Sequence, residues 1–226
     1  MEPVQKLISH KTIRALYRRY KYAPINPLER LVIYLRLRLS SYEIIESYVP
    51  SSGQVLDLGC GFGMFSVYLA ISSRARVVRG VDISHRRLQT AKFVSDQIQN
   101  VVFERGDILE YAFQEHDCIL LIDSLHYFPA SVQNELLKKC FTYISPGGRL
   151  LLKNSDKDNK FRHLLTEFHE TIMTKSGFTE GDMLCFRGFT ELGGYLENLG
   201  FFVDVLPMWN RTPFADTLLV CTKTDN

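Results

Sequence analysis

Long apolar runs are missing from this chain. No stretch of its 226 residues approaches the roughly 20 apolar residues that cross a bilayer as a helix. Met1 to His10 also lacks the apolar core of a secretory leader. Cysteine is sparse: Cys60, Cys118, Cys140, Cys185 and Cys221 include no Cys-x-x-Cys pair. That spacing argues against both a disulfide framework and a zinc ligand set. Three of the five sit in apolar runs, where a thiol behaves as a small hydrophobe, and a reduced, cytoplasmic setting is expected. Net charge is nearly absent, with 27 Lys and Arg against 25 Asp and Glu. So small an excess does not by itself point to nucleic acid. Neither internal repeats nor low-complexity tracts are present, and a hydrophobic content of 46% is ordinary for a folded domain.

What charge there is lies unevenly. The first 50 residues carry nine Lys or Arg against four Glu, which leaves the remainder mildly acidic. A basic leader on an acidic body suggests contact with something anionic, unless it is only a solvated helical face. Pro27–Tyr48 reads as one long helix. Its Leu28, Leu31, Leu35 and Leu39, with Val32, form an apolar stripe that most simply docks on the core. The other reading is contact with a membrane surface or an acidic carrier protein. Tyr17, Tyr20, Tyr22 and Tyr34 are interleaved with the cations.

From residue 54 onward, apolar runs bounded by Gly, Pro, Asn and Asp alternate with helical patterns. Strands are expected at Gln54–Leu58, Arg76–Val81, Val101–Glu104, Cys118–Ile122 and Arg149–Lys153. Helices are expected over about 62–72, Ser84–Ile98 and Val132–Tyr143. This rhythm argues for a mostly parallel sheet with helices on both faces. Helices Phe161–Thr174 and Thr190–Leu199 follow. Phe201–Leu206 and Thr217–Cys221 make a closing pair whose link is too short for a crossover helix, so they should run antiparallel.

The chemistry gathers at Val55-Leu-Asp-Leu-Gly-Cys-Gly-Phe-Gly63, a strand running through three alternate glycines into a helix. Glycine lets the backbone take positive φ and approach a ligand with no Cβ in the way. The spacing is not the G-x-G-x-x-G of dinucleotide enzymes. Asp57 would repel a phosphate but suits a cation, and Asp82, ending the second strand, is placed to accept from a ribose diol. These features describe a ligand with a ribose and a positive charge and no phosphate.

VLDLGCGFG, VRGVDIS, FERGDILE, DCILLIDSLHYF and ISPGGRLLLKN, in that order over about residues 50–155, resemble the successive motifs of class I S-adenosylmethionine-dependent methyltransferases. The resemblance implies an α/β, Rossmann-like seven-stranded sheet of order 3-2-1-4-5-7-6 with strand 7 antiparallel. It also implies an N-terminal helical extension or lid over 1–49 ahead of a methyltransferase domain over 50–226. Carried across by motif, Gly59, Gly61 and Gly63, with Cys60 among them, would form the turn at the methionine side of S-adenosylmethionine, with Asp57 near its amino group. Asp82 would hold the ribose hydroxyls, and Ile83 would pack on the adenine. Asp107 would face the adenine amino group beside Ile108, and Asp123 would border the methyl and the acceptor. The product would be S-adenosylhomocysteine.

Methyl transfer from a sulfonium requires mainly alignment of the acceptor and exclusion of water. A base matters when the acceptor is a hydroxyl. His126, three residues past Asp123, is the candidate base, the other reading being that it shapes the pocket. His163 and His169 fall on different faces of one expected helix, so no metal site is expected. Lys153 with Asp123 resembles the charged set of ribose methylases, but a lone lysine at a strand end usually reads as solvated.

A fainter resemblance, in the RLRLSSYE and RTPFADTLLVC segments, is to methyltransferases that accompany polyene-pigment and fatty-acyl biosynthesis. It implies a small-molecule or lipid- or acyl-type acceptor, with O-methylation of an aromatic or polyene-pigment precursor, such as at a phenol hydroxyl. The alternative is an RNA or tRNA methyltransferase using the basic leader. Against it, the fourth strand ends in Asp-Ser-Leu-His, and no Pro-Cys nucleophile is present. A non-catalytic assembly partner and a nicotinamide dehydrogenase are the remaining alternatives.

Overall fold

The computed structural model describes residues 3–39, 41–159, 162, 164, 184–208 and 215–224, with side chains described from residue 11 onward. The helix expected over Phe161–Thr174, with His163 and His169, lies outside the described residues, Arg162 and Leu164 apart. The chain divides into two compact units, residues 1–112 and 113–226. The seven strands are ordered β3-β2-β1-β4-β5-β7-β6.

The first unit opens with α1 (Pro3–Lys21), α2 (Pro27–Leu39) and the short α3 (Tyr42–Glu46). It continues as β1 (Gly53–Leu58), α4 (Met64–Ser72), β2 (Arg76–Asp82), α5 (His85–Val94) and β3 (Val101–Arg105). β1 and β2 pair in parallel from Gly53↔Arg76 to Leu58↔Val81, and β2 and β3 from Val78↔Val101 to Asp82↔Arg105. Val55, Leu56 and Leu58 are fully buried, as expected of a strand covered on both faces. Arg76 is buried too. It binds the Glu46 carboxylate at 2.9 Å and donates to the carbonyls of Val49 and Pro50, tying α3 and its following turn to the start of β2.

Two readings of the N-terminal region are corrected. The expected Pro27–Tyr48 helix ends at Leu39, and Tyr42–Glu46 is a separate turn of helix. Nor is the leucine stripe the docking face. The residues of α2 that turn inward are Glu29, Ile33 and Leu37, while Leu28, Leu31, Leu35 and Leu39 are exposed. Both sets repeat at helical spacing, so periodicity offers two faces and only packing chooses between them. The chosen face is steered by Arg86, whose guanidinium pairs with the buried Glu29 carboxylate.

The second unit holds β4 (His116–Ile122), a single 3-10 turn (Leu125–Tyr127), α6 (Ala130–Tyr143), β5 (Ile144–Ser155), α7 (Phe189–Leu199), β6 (Phe201–Pro207) and β7 (Asp216–Lys223). β4 and β5 are parallel, whereas β7 runs antiparallel to both β5 and β6. Cys118 through Leu121 are fully buried. Lys223 closes the C-terminal end of α6 by donating to the carbonyls of Phe141 and Ile144 at 2.9 and 2.8 Å. A cation there meets the negative end of the helix dipole. Among the described residues, no helix is long and apolar enough to cross a membrane.

Candidate active site

In the first unit the glycine turn is fastened from beneath by β2. The Val81 carbonyl accepts from the N–H groups of Gly59 and Cys60 at 2.8 and 3.0 Å. The Asp82 carboxylate accepts from Gly61 N–H at 2.7 Å through one oxygen and from Ser84 N–H at 2.9 Å through the other. Asp82 therefore holds the turn and the start of α5 at once. It keeps acceptor capacity, because each carboxylate oxygen has more than one lone-pair direction. Ser84 precedes α5 without capping it through its side chain; Asp82 instead fixes the residue before the helix through the Ser84 N–H. The Asp82 carbonyl in turn accepts Gly106 N–H at 3.1 Å, which places the Gly106-Asp107-Ile108 segment beside it.

Gly61 and Gly63 both have positive φ, +55° and +74°. A Cβ on Gly61 would meet nothing nearer than an Arg87 nitrogen at 3.9 Å, so the turn's outer side is open to a ligand. A Cβ on Gly63 would lie 2.7 Å from the Phe103 ring and 2.8 Å from Ala91. Gly63→Ala combines a left-handed backbone cost with overpacking, together about 2–4 kcal/mol. Urea denaturation should show that loss, whereas Gly61→Ala should be milder in the ligand-free protein.

Asp57 is buried at the end of β1, and its carboxylate accepts from the Ser66 hydroxyl at 2.5 Å. Burial pushes its pKa up from 3.8 to about 6, Ser66 opposing and the Asp82 carboxylate adding to the rise. Burial, followed by the Asp57 and Asp82 carboxylates, pushes the Cys60 thiol well above its ordinary value, so it is no nucleophile at neutral pH. A buried acid held by one neutral hydroxyl, beside an open glycine turn, suits a ligand bearing a positive charge. The donor and acceptor set therefore fits S-adenosylmethionine.

Further along, Asp107 accepts Leu109 N–H at 2.9 Å in a local turn. Ile108 is buried, and Ile83 is half exposed. α1 is anchored to the same turn, because the buried Tyr20 hydroxyl donates to the Phe62 carbonyl at 2.7 Å.

In the second unit Asp123 follows β4 with φ of +54°, rare for a residue bearing a Cβ. Its conformation is held by Lys153, whose ammonium reaches the two Asp123 oxygens at 2.8 and 3.0 Å and Asp216 at 3.2 Å. Lys153 is buried, not solvated as its strand-end position suggests. Burial alone would lower its pKa, but the Asp123 and Asp216 carboxylates outweigh it and hold the value above that of an ordinary lysine. Lys153→Met would leave two carboxylates facing each other with no cation. We expect a loss of about 2–3 kcal/mol, below the full cost for a buried pair because Asp123 is partly exposed, read as a fall in Tm of roughly 4–12 °C.

His126 is buried, with its ring stacked on Phe186 at 4.7 Å between centroids and tilted against Tyr127 at 4.2 Å. Its Nδ1 lies 2.7 Å from Asn154 Oδ1. That oxygen already accepts Ser155 N–H at 2.9 Å, so it meets Nδ1 as an acceptor and Nδ1 carries the proton. The neutral ring then has its lone pair on Nε2, the tautomer a base requires.

Sequence reasoning does not single out Asn154, Phe186 or Ser66. Ser66 carries a signal, as a polar residue early in the apolar helix MFSVYLAIS. Phe186 carries none.

Residues 50–191 match the methyltransferase domain family. The ubiquinone biosynthesis O-methyltransferase of Coxiella burnetii is 32% identical over 120 residues, 51% of this chain and 50% of that one. The chain thus spans about half the length of that relative. Trans-aconitate 2-methyltransferase of Variovorax paradoxus is 29% identical over 214 residues, covering 91% of this chain and 75% of the other. The magnesium protoporphyrin IX methyltransferase of Synechocystis, solved with bound S-adenosylhomocysteine, superposes with a TM-score of 0.67 at 17% identity over 98% of both chains. The strand order, the glycine turn between β1 and α4, and the match over most of the chain lead to one conclusion: this protein belongs to the class I S-adenosylmethionine-dependent methyltransferases.

Proposed function

We propose that this chain methylates an oxygen, a phenol hydroxyl above all, of a small aromatic or lipid- or acyl-type acceptor. The observation that carries this reading is His126, buried against two aromatic rings and held by Asn154 in the tautomer that accepts a proton at Nε2. A hydroxyl acceptor must lose a proton as it is methylated, and a positioned base contributes on the order of 10²–10⁴-fold. A carboxylate acceptor, ionised at neutral pH, has no use for one. The names of two relatives, an O-methyltransferase of ubiquinone biosynthesis and a methyltransferase acting on trans-aconitate, support a small-molecule acceptor.

When bound, the cofactor supplies an electrophilic methyl on a positively charged sulfur. The chain's own residues do the rest. Asp57, ionised, would pair with the ammonium of the methionine moiety, and Asp82 would accept from the ribose hydroxyls while keeping the turn in place. Gly59, Cys60, Gly61 and Gly63 would bring bare backbone against the ligand. Ile83 and Ile108 would flank the adenine, and Asp107 would face its amino group. Asp123, fixed by Lys153, would border the acceptor, and His126 would take the acceptor's proton. α1, pinned to the turn through Tyr20, would cover the cofactor side.

The test is transfer of a labelled methyl group to a panel containing an alkylated phenol, an aliphatic carboxylic acid and bulk RNA. Labelling of the phenol is expected. Labelling confined to the carboxylate or to RNA would overturn the acceptor assignment, and failure to bind S-adenosylhomocysteine in calorimetry would overturn the cofactor residues.

A further inference from the structure

We infer that the outward face of α2 is an interfacial anchor for an anionic lipid bilayer. Leu28, Leu31, Leu35 and Leu39 are 60%, 53%, 44% and 40% exposed, with Tyr34 beside them at 45%. An isolated exposed leucine is ordinary. Four on one 13-residue helix, all turned away from the buried Ile33 and Leu37, form a continuous apolar stripe about 17 Å long at 1.5 Å per residue. The inward face already satisfies the core, so folding gives no account of this one.

Charge identifies what covers it. At 100° per residue, Arg38 falls on one edge of the stripe and Arg36 on the other. α1 carries six Lys or Arg and no acid. The only acid of α2, Glu29, is turned inward and paired with Arg86. A second copy of this surface would meet it cation to cation, which disfavours self-association. The stripe's midline holds leucines alone, with no polar group to set register against a folded partner. Aliphatic side chains edged by arginines, with a tyrosine at the rim, suit immersion to headgroup depth in a negatively charged leaflet. The inference does not depend on which acceptor is methylated.

The test is co-sedimentation of the full chain with two kinds of vesicle, pure phosphatidylcholine and phosphatidylcholine with about 30% phosphatidylglycerol. Binding to the anionic vesicles should be at least ~10-fold tighter and should weaken as salt rises to about 0.5 M. The double variant Leu31→Glu with Leu35→Glu should lose at least ~10-fold of that binding while keeping the wild-type Tm and affinity for S-adenosylhomocysteine. Equal binding to both vesicles, or undiminished binding by the variant, would overturn the inference. So would a dimer in light scattering that the variant dissociates, which assigns the stripe to a second copy. Retention on an acidic carrier protein without vesicle binding would overturn it in favour of a protein partner.

Discussion

Replacing Asp57 with Asn is expected to make the ligand-free protein more stable and its cofactor binding far weaker. Burial pushes the Asp57 pKa up from 3.8 to about 6, so above pH 6 the free fold holds an ionised carboxylate at a cost of about 3 kcal/mol. The sign follows from linkage. The folded value lies above the unfolded one, so the native state gains from the bound proton below about pH 4 and loses that gain as pH rises through about 6. The Asp57→Asn variant carries no such cost and still accepts from Ser66. Its Tm should therefore exceed that of the wild type at pH 8, with the gap closing toward pH 4.

Cofactor binding should move the other way. Losing one side of a buried charge pair costs about 3–4 kcal/mol, or roughly 10²–10³-fold in Kd by calorimetry. The wild-type Kd should also rise about tenfold per pH unit below pH 6 as Asp57 takes up its proton. The Asn variant should lack that slope. A variant that binds S-adenosylhomocysteine as tightly as wild type would remove Asp57 from the site.

His126→Gln is expected to lower kcat on a phenolic acceptor by about 10²–10⁴-fold, the ordinary yield of a positioned base, with little change in affinity for S-adenosylhomocysteine. Asn154 acts through His126, so Asn154→Ala should cost less, about tenfold in kcat, by releasing the ring from its tautomer and orientation. The two losses should not add, because both remove the same proton acceptor. Raising the pH toward the phenol's own pKa of about 10 should narrow the gap between His126→Gln and wild type, since solvent then ionises the acceptor. A defect caused only by a damaged pocket would not respond in that way. If kcat falls equally at all pH values, His126 shapes the pocket and is not the base.

Much of the first unit was legible in the sequence because its function rests on local backbone chemistry. Three alternate glycines after QVLDL can only serve a turn at positive φ, and the acid at the end of VRGVD is carried to that turn by parallel pairing of β1 with β2. What Asp82 does there was not legible. It ties down Gly61 and Ser84 across 21 and 2 residues, and the first of those distances in sequence is set by sheet register. The Ser84–Ile98 helix was expected to be longer than it is. It ends at Val94, and Gln97 takes φ of +68°, a local reversal that no glycine announced.

In the second unit the contrast is sharper. DCILLID announced a buried strand with an acid at its end, and that acid is there. Its pairing with Lys153 is the less expected of two readings, because a lysine at a strand end is usually solvated. Lys153 is instead enclosed by Asp123 and Asp216, 30 and 63 residues away, and two carboxylates at close range make a buried ammonium stable. His126 could be named from its position, but its tautomer is decided by Asn154, whose place at the end of ISPGGRLLLKN gives no sign of that role.

By itself, then, the sequence determined the alternation of strands and helices, the antiparallel closing pair and the class of donor ligand, while the strand order came from its resemblance to a family. Hydrophobic periodicity, glycine spacing and the charge of one acid are properties of neighbouring residues. Only the tertiary structure decided which face of α2 is buried, what neutralises Asp123 and which ring nitrogen of His126 is basic. Each of these depends on desolvation and on partners brought from far along the chain, and the energy of a buried charge or hydrogen bond exists only once the fold has excluded water around it.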